Sequence, residues 1–138
     1  MLIRVRGRSM VRALRPGHLL WASKARVGPL ERGQIVLIRL SRPPEGLFLK
    51  RIVGLPGEHV TIESFRVTVN GRPLLEPYVD ARAAAQPTPS GDWTLGADDY
   101  IVLGDARDDS LDSRRFGPVH FHEMDAIIRF RLWPPGYI

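Results

Sequence analysis

Cysteine is absent from the 138-residue chain. Disulfides, thiolate metal sites and a thiol nucleophile are therefore excluded. Lysine is nearly absent too: of 20 basic side chains, all but Lys24 and Lys50 are arginine. Aromatic residues make up 8%, too few for the interleaved stacking platforms of single-strand nucleic-acid binders. No apolar run approaches the roughly 18–20 residues that span a bilayer. Arg4, Arg6 and Arg8 interrupt the start of the chain, where a secretory signal needs an apolar core. The expectation from these absences is a soluble domain without anchor or address.

What is present is globular: 43% apolar and 25% charged residues. The length suits one domain, 1–138, able to bury about two-thirds of its unfolded surface. The net charge is +5 and the pI about 10.4. That balance fits a nucleic-acid partner, an anionic membrane surface, or a chain that writes arginine where others write lysine. The charge is spread along the sequence instead of gathered in a stripe, which weighs against nucleic acid.

The pattern is mainly β. Apolar or alternating runs predict strands at Gln34–Arg39, Leu47–Val53, His59–Glu63, Arg66–Val69, Tyr100–Leu103 and Ala126–Leu132. Asn70-Gly71 is a tight hairpin turn, because both residues tolerate positive φ. Helix signals are limited to one short turn near Met10–Leu14. Residues 76–99, with Ala83-Ala84-Ala85, Pro87, Pro89 and Gly91, read as an exposed loop inserted between strand clusters.

Three clusters carry chemistry. Arginine stays protonated and cannot be a general base, whereas a buried lysine can lose its proton. Lys50 shares a strand face with Phe48 and Ile52, so its amine is placed on an apolar wall; the plainer alternative is a protective charge on an edge strand. Ser9 follows Gly7 in a turn, either as a nucleophile or as a helix N-cap. Gly104–Gly117 is a polar loop after a strand. A calcium loop is excluded there, because from Asp105 the sixth residue is Ser110 and the twelfth Phe116. Its acids and Arg107, Arg114 and Arg115 are expected to form ion pairs that fix the loop, and Ser110 or Ser113 to bond a buried group such as the Lys50 amine. His120 and His122, with Glu123 and Asp125, have metal-ligand character but no third histidine at useful spacing. No metal and no cofactor are expected. A Ser–His–Asp triad would leave Lys50 unexplained.

In order along the chain, these clusters resemble the type I signal peptidase family. Gly7 and Ser9-Met10 resemble its serine box. Leu49 to Glu58 resembles its lysine box, and Val69-Asn70-Gly71 the hairpin that usually follows. Gly104-Asp105 through Ser110-Leu111-Asp112-Ser113-Arg114 and Gly117 resemble its terminal box. The likeness runs from about residue 3 to residue 133. It implies a mainly β catalytic domain of short antiparallel strands and a serine endopeptidase. Ser9 would be nucleophile, Lys50 general base, and Ser110 the residue that orients Lys50. Asp105 with Arg51, and Asp112 with Arg114, would be structural ion pairs. The Ser9 N–H would donate to the oxyanion; where some members add a hydroxyl two residues before the nucleophile, this chain has Gly7.

Three positions depart from the pattern: Arg12 replaces a usual proline, Gln34 an acid and Ala106 an asparagine. Family members normally carry an N-terminal membrane helix, yet only eight residues precede Ser9. The resemblance is therefore to a compact, unanchored form. By family it would work at the outer face of the bacterial cytoplasmic membrane; as a complete chain it would be cytoplasmic. Its partner would be a secreted pre-protein or peptide with small residues at −1 and −3, with a peripheral contact to anionic membrane and no nucleic acid. Ala83-Ala84-Ala85 is itself such a pattern, so self-cleavage after Ala85 is an expectation. Two other readings compete. One is a soluble maturation protease of the nickel superoxide dismutase type. The other is a non-enzymatic basic β domain binding RNA or anionic membrane, with no dependence on Ser9 or Lys50.

Overall fold

The computed structural model describes residues 1–25, 29–79 and 88–138. The Ala83-Ala84-Ala85 segment lies outside the described residues. Two antiparallel sheets account for the strands. The larger contains β1 (Leu2–Arg4), β2 (Leu19–Lys24), β3 (Ile35–Leu40), β4 (Gly46–Gly54), β9 (Asp99–Leu103), β10 (Val119–His120) and β11 (Met124–Trp133). Their spatial order is β1-β2-β11-β3-β4-β9-β10. The smaller is β7-β6-β5-β8, from β5 (His59–Glu63), β6 (Arg66–Val69), β7 (Arg72–Pro73) and β8 (Gly91–Thr94).

The strands expected from apolar patterning all form, within a residue or two of their ends. Asn70 and Gly71 have φ of 50° and 79°, as a two-residue hairpin turn requires. Corrections fall on the weakly patterned segments. β1, β2, β7, β8 and β10 were not anticipated. β8 lies inside the segment read as a loop and pairs with β5. Near Met10 there is one helical turn, closed by the Leu14 N–H on the Met10 carbonyl at 2.8 Å. Among the described residues the α-helix is α1, Ser113–Phe116, capped by the Asp112 side chain. His120 ends a strand and Phe121–Glu123 is a 3-10 turn, so His120 and His122 do not share a strand face.

Period-two burial divides the large sheet's core. On β3, Val36 and Ile38 face one apolar cluster with Ile52 and Val102. Ile35 and Leu37 face another, with Val5, Met10, Leu14 and Leu20. A third cluster, around Val53, Val60, Ile62, Ile101 and Leu103, joins the two sheets. Gly54 lies within this junction, at a bulge in the β4–β9 pairing. A Cβ there would lie 2.8 Å from Val60 Cγ2 and 3.0 Å from Ile101 Cβ. Gly54→Ala is expected to destabilise the fold by about 1–3 kcal/mol through overpacking, measured by denaturant unfolding.

Candidate active site

Lys50 lies on β4, which is flanked by β3 and β9 and is therefore interior. That overturns the alternative of an edge-strand charge. Its cross-strand partner is Val36, and only 3% of it is exposed. The Phe48 ring centre lies 6.0 Å from Nζ. Nζ donates a hydrogen bond to Ser110 Oγ at 3.1 Å. Burial pulls the amine down from 10.5 to about 8; Asp112 opposes this shift and Arg114 adds to it.

Ser9 lies half-buried in the turn that follows β1. Gly7, with φ of 78°, turns the chain just before it. The Ser9 carbonyl accepts the Ala106 N–H at 2.8 Å, tying this turn to the loop after β9. That bond is made by backbone, so an alanine at 106 serves as well as an asparagine. Arg12 has φ of 86°, which a proline ring cannot adopt; the turn after Ser9 is therefore built differently from one containing proline. Gln34 caps its own turn, its side-chain oxygen accepting the Glu31 N–H at 2.9 Å.

Ser9, Lys50 and Ser110 line one cleft of about 520 Å³, which Val5, Met10 and Leu49 also line. Of the two serines considered for the amine, Ser110 reaches it; Ser113 Oγ instead accepts the Val102 N–H at 2.9 Å. Arg51 forks onto Asp105 at 2.9 and 2.8 Å. Arg114 forks onto Asp112 at 2.9 Å through each nitrogen. Burial works to raise the Asp112 carboxyl, but Arg114 and the Gly104 N–H outweigh it and hold the group below its usual range.

Gly104 opens the loop named in the sequence, and the structure supplies the steric reason for a glycine there. A Cβ there would lie 2.0 Å from Ser110 Oγ and 2.9 Å from the Ser9 carbonyl oxygen. Glu76 and Tyr78 were missed by sequence reading, and both reach the same loop through Arg107 and Arg51. The His120 and His122 rings stack 5.7 Å apart, and His120 Nδ1 lies 2.8 Å from Asp99. Glu123 turns away to Arg42. Among the described residues no group of three potential ligands is placed to hold a metal ion.

The profile of the family described as "Signal peptidase, peptidase S26" matches residues 1–133. A signal peptidase I of Bacillus caldolyticus is 32% identical over 143 residues, covering 94% of this chain and 78% of that protein. A signal peptidase IB of Staphylococcus aureus is 27% identical, covering 94% and 76%. The crystal structure of a signal peptidase I from Enterococcus faecalis superposes with a TM-score of 0.62 at 28% identity, over 73% of this chain and 97% of that one.

Burying the Lys50 amine has a stability consequence. Below about pH 8 the amine is protonated in both folded and unfolded chains, and the fold bears the whole cost of burying it. Between about 8 and 10.5 only the unfolded chain holds the proton, so stability rises with pH across that window. The gap corresponds to roughly 3 kcal/mol. Lys50→Met is expected to be more stable than wild type by up to about that amount at pH 7, with the advantage fading towards pH 10.5. Urea unfolding at both pH values measures this.

Proposed function

The chain belongs to the signal peptidase family, peptidase S26, and we propose that it cleaves signal peptides from pre-proteins through a dyad of Ser9 and Lys50. It is a serine-type endopeptidase. The observation that carries the dyad is a lysine amine buried on an interior strand, bonded to Ser110, in the cleft that Ser9 lines.

Neutral Lys50 accepts the proton of Ser9 Oγ as the oxygen attacks the scissile carbonyl. The Ser9 N–H donates to the oxyanion that forms. Lys50 then returns the proton to the departing amine, leaving an acyl group on Ser9. Next it takes a proton from water, whose oxygen displaces Ser9, and passes that proton to the released Ser9 Oγ. Throughout, Ser110 orients the amine. The Arg51–Asp105 and Arg114–Asp112 pairs hold the surrounding backbone. A preference for small residues at −1 and −3 of the substrate would be set by the apolar part of this lining, Val5, Met10 and Leu49, against which larger side chains would clash.

A membrane surface is the setting we assign. Among the described residues no helix is long and apolar enough to cross a membrane. However, Leu2 and Phe130 both pair with Trp21, which puts the three on one face of the sheet, and all three are exposed. Arg4 and Trp133, both partners of Leu19, join that face. An apolar, aromatic strip edged by arginine suits an anionic lipid interface. It leads along β1 into the Ser9 turn.

Ser9→Ala, Lys50→Ala and Lys50→Arg are each expected to lower kcat/KM on an Ala-x-Ala peptide by about 10³-fold or more, with the fold retained. Wild-type activity should climb as pH passes about 8, where Lys50 deprotonates. Full activity in any of the three variants would refute the dyad. For the membrane reading, Trp21→Glu with Phe130→Glu should weaken binding to phosphatidylglycerol vesicles about tenfold while leaving cleavage of a soluble peptide intact. Unchanged vesicle binding would overturn that reading.

A further inference from the structure

Glu76 and Tyr78 follow the β6–β7 hairpin and do not line the cleft. Even so, the Glu76 side chain is 8% exposed, and its partner Arg107 only 1%. Burying such a pair is costly unless its polar groups are matched, and here each of the three guanidinium nitrogens has a partner. Arg107 Nη1 donates to Glu76 Oε1 at 3.0 Å, Nη2 donates to Oε2, and Nε donates to the Gly104 carbonyl at 2.8 Å. Tyr78 Oη donates to Glu76 Oε2 at 2.8 Å. The Tyr78 ring also lies 4.0 Å from the Arg51 guanidinium carbon, whose nitrogens grip Asp105.

The grip converges on one residue. Gly104 is held at its carbonyl by Arg107 and at its N–H by Asp112, at 3.0 Å. Against this glycine lie Ser110 Oγ and the Ser9 carbonyl. The Arg107 carbonyl in turn accepts from Arg114 Nη1 at 2.8 Å, closing the loop onto the Asp112 pair.

We propose that Glu76 is a positioning residue for cleavage: through Arg107 it holds Gly104 where Ser110 meets the Lys50 amine and where the Ser9 turn docks. Tyr78 orients the carboxylate and braces Arg51. The inference rests on the Ser9–Lys50 reading above. It separates Glu76 from a residue that merely stabilises the fold, because loosening the loop would admit water to the amine. The charged groups facing that amine, Asp105, Asp109, Asp112 and Arg114, all belong to the same loop and its helix.

The test is peptide cleavage by Glu76→Gln, normalised to folded protein by circular dichroism. kcat should fall about 10- to 100-fold with KM changed less than about twofold. The acid limb of the pH–rate profile should move to higher pH, because a better-hydrated amine gives up its proton later. Glu76→Asp should recover part of the rate. Tyr78→Phe keeps the ring on Arg51 and removes only the hydroxyl; it should shift the same limb with a smaller loss of kcat, and it serves if Glu76→Gln does not fold. Glu58→Gln breaks a more exposed arginine–carboxylate fork, with Arg32 at the Gly54–Gly57 turn; it should lower stability while leaving the limb in place. A wild-type limb and wild-type kcat in folded Glu76→Gln or Tyr78→Phe would overturn the proposal. Retained activity in Ser9→Ala or Lys50→Ala would instead overturn the dyad beneath it.

Discussion

The removal of one lysine amine from water governs this structure. An ammonium group is among the most strongly hydrated side-chain ends, and β4 carries it into a sheet flanked on both sides. The surroundings do not simply exclude water. Asp105, Asp109 and Asp112 favour the proton and Arg114 disfavours it, so the acids moderate what burial does. Ser110 meets the amine as hydrogen-bond partner, a neutral group that can serve either protonation state. The result is an amine that changes charge near pH 8 instead of near 10.5.

Arginine supplies the frame. Arg51, Arg107 and Arg114 each spread several donors over a carboxylate and a backbone carbonyl. A planar fork fixes orientation as well as charge. Because arginine does not titrate in this range, the frame keeps its charge while the lysine inside it changes. The near-absence of lysine from the rest of the chain thus has a structural counterpart: ion pairs built from arginine hold one lysine.

Much of this was legible in the sequence, and the reasons differ by element. β3 to β6, β9 and β11 are read from apolar runs or alternation because the sheet core imposes a period of two. β1 is three residues with Arg4 in it, and β8 begins at Gly91 after a proline-rich stretch; both exist because a neighbouring strand offers a free edge, which no local pattern records. α1 is a single turn, too short to show a helical period, although Asp112 before Ser113 is a capping signal. Lys50 stood out through its scarcity and its apolar neighbours. Ser9 was ordinary until it was placed in order with the other two clusters. Glu76 and Arg107 lie 31 positions apart; Glu76, between Leu75 and Pro77, read as the start of a loop. An acid and a tyrosine closing a hairpin, in a chain with surplus arginine, was the available hint.

The proposed nucleophile and base stand on unequal ground. Lys50 belongs to an interior strand, whose amides open only when the sheet does. Ser9 belongs to a surface turn of a few residues, tied back through the Ala106 N–H and one helical turn. Such a turn opens at lower free energy than the sheet beneath it. Where that turn opens first, Ser9 leaves Lys50 while the β core is intact, and such a loss of the proposed dyad would be local and reversible on cooling.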